Sequence, residues 1–243
     1  MSTAHSGDSP KTEHSFDDEH LADPGSGVIR AGIFGLSDGL VSNLALIMGV
    51  AGGTSSRGAV VLAGIAGLIA GAFSMAAGEF ISMQTQREVY QRELRRESRH
   101  IEEHPDAERE HLKEILVKSG LDDDVAGRVA TEAHQDRKSA LDFHARFELG
   151  IIPEELGSPF GAAISSFAFF TLGAIIPLLP YFFTASALVI SIALSAVALL
   201  VVGAVLTRLT GQNPWKGGLR QFAVGAVAAA ITFGVGRALG AVV

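Results

Sequence analysis

Cysteine is absent from this chain of 243 residues, which excludes disulfides, thiolate metal sites and cysteine nucleophiles. The same absence leaves the compartment unreadable from redox chemistry. Charge is scarce as well: 19% of residues are charged against 48% hydrophobic, and the mean hydropathy is +0.33. That is too apolar for an ordinary soluble domain and suits a membrane protein carrying one polar module. Basic residues are outnumbered, and the formal net charge of −7 argues against nucleic acid as a partner. There is no nucleotide-binding glycine loop, which speaks against an ATP-driven pump. No basic-then-apolar leader opens the chain; residues 1–26 read as a disordered acidic tail. Its His5, His14 and His20 are better explained as solvated than as a metal site. No segment reads convincingly as a strand.

Long apolar runs are what the chain does have. Residues 28–49, 59–83, 160–183, 186–206 and 219–242 each approach the roughly twenty residues a helix needs to cross ~30 Å of hydrocarbon. Five spans would place the two termini on opposite sides. A charged block interrupts them, so the chain divides into a tail (1–26), spans one and two (27–83), the block (84–157) and spans three to five (158–243). If the amino terminus is cytoplasmic, seventeen of the 19 Lys and Arg fall on that side, leaving Arg57 and Arg237 opposite. The positive-inside rule then puts the amino terminus and the block in the cytoplasm and the carboxyl terminus across the membrane.

The block reads as a small helical bundle. "EVYQRELRRESRHIEEH" continues the second span without a breaker, and Pro105 opens a new helix that Gly120 ends. Leu112, Ile115 and Leu116 share one face of it. "LDDDVAGRVATEAH" and "RKSALDFHARFELG" are two further helices, the last ending at Gly150. Within the spans, Gly35 and Gly39, Gly67 and Gly71, and Gly236 and Gly240 are each four apart, a spacing that lets helices approach closely in lipid. Pro177 and Pro180 should bend or end the third span.

Two acidic residues lie inside the apolar runs, Asp38 and Glu79. A carboxylate at mid-membrane costs ~2.5–3.5 kcal/mol on insertion scales, so it normally faces a polar cavity or pathway. Asp38 stands ten residues into the first span, roughly 15 Å deep at the helical rise. Met75 lies roughly 13 Å from the same edge on the returning helix, and the two could share a level. Met75, Glu79 and Met83 are four apart, on one face of the second helix. A methionine stripe alone would suggest lipid contact or packing. A carboxylate between two thioethers makes a plausible ladder for a divalent transition metal. In the block, Glu97 and His100, Glu108 and His111, and His144 and Glu148 are each three or four apart. Each pair could chelate, and three pairs on three helices suggest a shared metal site.

The segments "FGLSDGLVSNLALIMGV", "AGLIAGAFSMAAGEFIS", "DFHARFELG" and "IIPLLPYFF", in that order, resemble the vacuolar iron transporter family in its bacterial branch. The resemblance covers about residues 28–243. It implies an all-α integral membrane protein with five transmembrane helices and a cytoplasmic helical metal-binding domain inserted between the second and third. It further implies a homodimer in lipid with a pore between the two first helices, where Gly35 and Gly39 would allow close approach. Export of Fe²⁺ or Mn²⁺ from the cytosol against protons, across a bacterial plasma membrane, would be the activity. The family's pore aspartate falls on Asp38 and its pore methionine on Met75. Its domain ligands fall on Glu97, His100, Glu108, His111, His144 and Glu148. Plant members carry a pore glutamate where this chain has Gly67 and a glycine where it has Glu79, so Glu79 would supply the second pore carboxylate. Histidine at three ligand positions suits Fe²⁺, Zn²⁺ and Co²⁺ better than Mn²⁺. No tightly bound cofactor is expected; the metal is substrate and domain ligand.

A competing reading is an enzyme. Two Glu-x-x-His pairs also occur in di-iron carboxylate bundles, which would make the chain a membrane-anchored ferroxidase. The pairs are only eleven residues apart across Pro105, and further inward-facing glutamates at bundle spacing are not evident. Dioxygen consumption with Fe²⁺ discriminates the two. A bare membrane scaffold would leave Asp38 and Glu79 unexplained.

Overall fold

A computed structural model describes residues 27–152, 157–184 and 186–241. The tail read as disordered, with its three histidines, lies outside the described residues. Among these there are nine helices and no strand. In chain order they are α1 (Gly27–Gly53), α2 (Arg57–Glu103), α3 (Pro105–Lys118), α4 (Asp123–Ala133), α5 (Arg137–Phe147), α6 (Pro159–Leu178), α7 (Pro180–Phe183), α8 (Ala187–Leu209) and α9 (Pro214–Gly240). Local chemistry sets most of the ends. Ser56, Asp122, Asp136, Ser158 and Asn213 each accept a hydrogen bond from a backbone N–H in the first turn they precede. Pro105, Pro159 and Pro214 sit where the missing N–H costs nothing. Gly120 leaves α3 with φ +102°, a left-handed turn that favours glycine.

Five helices, α1, α2, α6, α8 and α9, are long and apolar enough to cross a membrane. At 47 residues α2 runs about 70 Å, more than twice the hydrocarbon thickness, so it crosses and then protrudes without a break. The helices α3 and α5 pack against its protruding half, and α4 packs on α3 and α5. Leu112 and Leu116 of α3 close a small core with Ala126, Ala130 and Ala133 of α4.

Among the spans α1 is central, packed by α6 and α9 most extensively and by α2 and α8 as well. Glycine makes this possible. A Cβ on Gly35 would stand 2.7 Å from the Ser166 carbonyl oxygen of α6, and one on Gly39 would fall on the Phe170 carbonyl. Gly236 of α9 meets the Gly49 carbonyl of α1 in the same way. These glycines therefore bring helices of one chain together. The expectation that Gly35 and Gly39 admit the first span of a second copy is corrected: that face of α1 is filled by α6.

The third apolar run also divides. α6 carries Pro177 inside its last turn and ends at Leu178, and Pro180 begins the four-residue α7. The Pro177 carbonyl accepts a 2.5 Å hydrogen bond from Ser191 Oγ of α8.

Candidate metal sites

Within the spans, α1, α2 and α6 line an open cleft of about 380 Å³. Asp38, Ser42 and Asn43 of α1 face it, with Ser74 and Met75 of α2 and Phe170 of α6. Asp38 and Ser42 are four apart on one helical face, which is why one cavity receives both. Asn43 is 2% exposed; its Nδ2 donates to the Ala174 carbonyl at 2.6 Å, and its Oδ1 meets no hydrogen-bond partner among the described residues. Gly67 faces that oxygen: a Cβ there would come within 3.2 Å of it. The cavity thus gathers a carboxylate, a free amide oxygen, hydroxyls and a thioether, a donor set suited to a divalent ion.

The rest of the methionine stripe lies elsewhere. Glu79 is not on the cavity wall; its Oε2 is 3.6 Å from Arg30 Nη2 and has no hydrogen-bond partner among the described residues. Met83 is buried against Ala31 and Ala162, with Gly27 and Gly157 against its methyl end. Of the four span residues singled out from the sequence, Asp38 and Met75 share the cavity. Glu79 and Met83 stand nearer the helical module, because α2 carries them away along its axis by ~1.5 Å per residue.

In the module all six residues singled out from the sequence are drawn into one connected cluster. Glu97, Glu108 and His144 each place a potential ligand atom within 4.8 Å of the others. His144 is fully buried at the centre; its Nδ1 donates to Glu148 Oε2 at 2.8 Å and lies 3.1 Å from Glu97 Oε1. His100 Nδ1 is 3.8 Å from Glu108 Oε1, and His111 Nε2 is 3.5 Å from Glu148 Oε1. Burial pushes the Glu97 carboxyl above its ordinary range, and the Glu148 carboxylate pushes it the same way, against an opposing pull from His144. Three carboxylates crowded around a buried imidazole repel one another, and a divalent cation relieves that repulsion.

Sequence reasoning missed His134. It ends α4, its ring centre is 5.4 Å from that of His144, and burial holds it below the ordinary histidine range. No carboxylate lies three or four residues from it on its helix, so a search for paired ligands passes it by. Asn43 escaped for a different reason: an amide five residues past Asp38 in an apolar run was a signal that could have been used. Arg30, beside Glu79, is one of the seventeen Lys and Arg counted on the amino-terminal side, and nothing in its spacing marks it as a partner of Glu79.

The described residues thus define an integral membrane protein with candidate metal ligands both inside the spans and in a helical module beyond them. The chain belongs to the VIT family, which matches residues 29–237. It is 34% identical to vacuolar iron transporter 1 of Tulipa gesneriana over 215 residues, 87% of either chain. The rice (Oryza sativa subsp. japonica) vacuolar iron transporter 1 is 33% identical over 87% of this chain and 85% of its own. A vacuolar iron transporter of Acanthamoeba castellanii is 36% identical over 87% of this chain and 78% of its own.

Proposed function

We propose that this chain carries a divalent transition metal, Fe²⁺ or Mn²⁺, out of the cytosol in exchange for protons, acting as a homodimer. The observation that carries the reading is the position of Asp38. Phe34, Asp38, Ser42 and Leu46 form a stripe four apart along α1, and it is the stripe its neighbours leave open: Phe34 is 58% and Leu46 37% exposed. A carboxylate left on a lipid-facing stripe costs ~2.5–3.5 kcal/mol on insertion scales. A second copy across a twofold axis would remove the stripe from lipid and set two Asp38 side chains opposite each other. Two such carboxylates match a 2+ charge, with Met75 and the Asn43 oxygen as neutral donors. When no metal is held they repel, and protonation relieves them, which supplies the exchange ion.

The module captures metal on the cytoplasmic side in this reading. That orientation rests on the excess of Lys and Arg on one side of the spans. The relatives named as vacuolar iron transporters support iron as cargo. The differences at Gly67 and Glu79 from the plant pattern support a bacterial-branch member, and with it a plasma-membrane location. Glu97 and Glu79 ride the same helix, eighteen residues or roughly 27 Å apart, so captured metal has a short path to the mouth.

The test is metal uptake into proteoliposomes under an imposed pH gradient, comparing Fe²⁺, Mn²⁺, Co²⁺ and Zn²⁺. Asp38→Asn keeps size and hydrogen bonding but removes the charge. It should abolish uptake while the protein still inserts. Native-rate transport by Asp38→Asn would make Asp38 structural and this mechanism wrong.

A further inference from the structure

Two imidazole nitrogens in the module are buried and meet no hydrogen-bond partner among the described residues: Nε2 of His134 and Nε2 of His144. In both rings the other nitrogen is tied to an acceptor. His134 Nδ1 is 2.9 Å from the Ala130 carbonyl, which can only accept, so Nδ1 carries the proton. His144 Nδ1 likewise donates to Glu148 Oε2. A ring that carries its single proton on Nδ1 presents a bare lone pair at Nε2. This is how metal-binding histidines are held: one nitrogen donates to a carbonyl or carboxylate, which sets the tautomer and aims the other.

The spacing fits one ion. With Zn–N near 2.0–2.1 Å and tetrahedral geometry, two imidazoles on one ion have ring centres roughly 5 Å apart. The two rings stand 5.4 Å apart and nearly perpendicular. Glu108 belongs to the other group, with a ligand atom within 4.8 Å of Glu97 and His144.

We propose that His134 and His144 hold a metal ion between their Nε2 atoms, at a position distinct from the Glu97–Glu148 side of the His144 ring. Such a nitrogen-rich position favours Fe²⁺, Co²⁺ or Zn²⁺ over Mn²⁺. The inference rests on the reading of the module as metal-binding, and it adds a ligand from α4, the one helix of the module that the paired positions leave out.

The experiment uses purified full-length protein with Co²⁺ as probe, counting imidazole ligands by X-ray absorption and measuring affinity by competition with a chelator. His134→Ala should lose one of two imidazoles and weaken Co²⁺ at least about tenfold, the lower end of what even an outer-shell partner costs. Mn²⁺ affinity should change far less. His134→Gln can still donate to the Ala130 carbonyl, so it keeps the local fold and should lose the same imidazole. His104→Ala, at an exposed histidine outside the cluster, should change neither readout. An unaltered imidazole count and Co²⁺ affinity in His134→Gln would overturn the proposal while leaving the transport reading intact. Two-imidazole binding in a protein that moves no metal would uphold it and defeat the transport reading instead.

Discussion

At the scale of single residues, the module sets a buried carboxyl against its own fold. Glu97 is buried, and its Oε1 has no hydrogen-bond partner among the described residues although His144 Nδ1 is 3.1 Å away. Its raised pKa means the folded protein binds that proton more tightly than the unfolded chain does. Stability without metal should therefore fall as pH rises through the Glu97 pKa and recover on acidification toward the ordinary value of 4.5. Glu97→Gln removes the charge at nearly constant size. At pH 7 it should melt above the native protein without metal, the gap closing near and below pH 4.5, and it should gain less from added Co²⁺. A lower melting temperature for the variant at pH 7 would mean that the ionised carboxylate holds the fold together. In the native protein, Co²⁺ taken by the Glu97–Glu108–His144 group must displace the Glu97 proton, so that binding should weaken from pH 7 to pH 5 and release protons detectable as buffer-dependent heat in calorimetry.

At the scale of elements, the spans are held by backbone-to-backbone approach at glycine. Without an apolar solvent contrast between lipid and side chain, close packing supplies much of the association of helices in a membrane. Gly39→Ala and Gly236→Ala each drive a Cβ onto a carbonyl of a neighbouring helix. Each should cost about 1–3 kcal/mol, the usual range for overpacking. A Cβ at Gly78 or Gly234 meets nothing within 4 Å, and alanine there should be neutral or slightly stabilising. Thermal melting in detergent separates the two pairs. Equal losses at all four positions would show that helix propensity, not packing, dominates.

At the scale of the whole molecule, the spans leave the Asp38 stripe of α1 uncovered while the opposite faces of α1 are filled by α6 and α9. A second copy seated there makes a specific demand. Because the chain has no cysteine, Ser42→Cys is a unique thiol one helical turn from Asp38. In membranes it should give a cross-linked dimer with a short bifunctional thiol reagent, whereas cysteine at Ile190, exposed on α8, should not. A protein that transports at the native rate as a strict monomer would sink the arrangement.

Much of this was legible in the chain itself, for a physical reason. A bilayer imposes a one-dimensional requirement, about twenty apolar residues in a row, so the five spans can be read along the sequence. Helix ends are equally local: Pro105 and Gly120 act on their own turns. The depth of Asp38 follows from counting residues, and so do the Glu97–His100, Glu108–His111 and His144–Glu148 pairs. What spacing cannot carry is contact between helices. Gly35 and Gly39 looked ready for a second copy, yet packing spent them on α6. Met83 and Met75 share a face of α2, but the neighbours α1 and α6 bury one and open the other to a cavity. His134 has no ligand-bearing neighbour on α4; it faces His144 because the alanine-lined face of α4 seats it against α3 while α5 docks on α2. Which buried nitrogen meets which is a property of packing, and only the tertiary structure decided it.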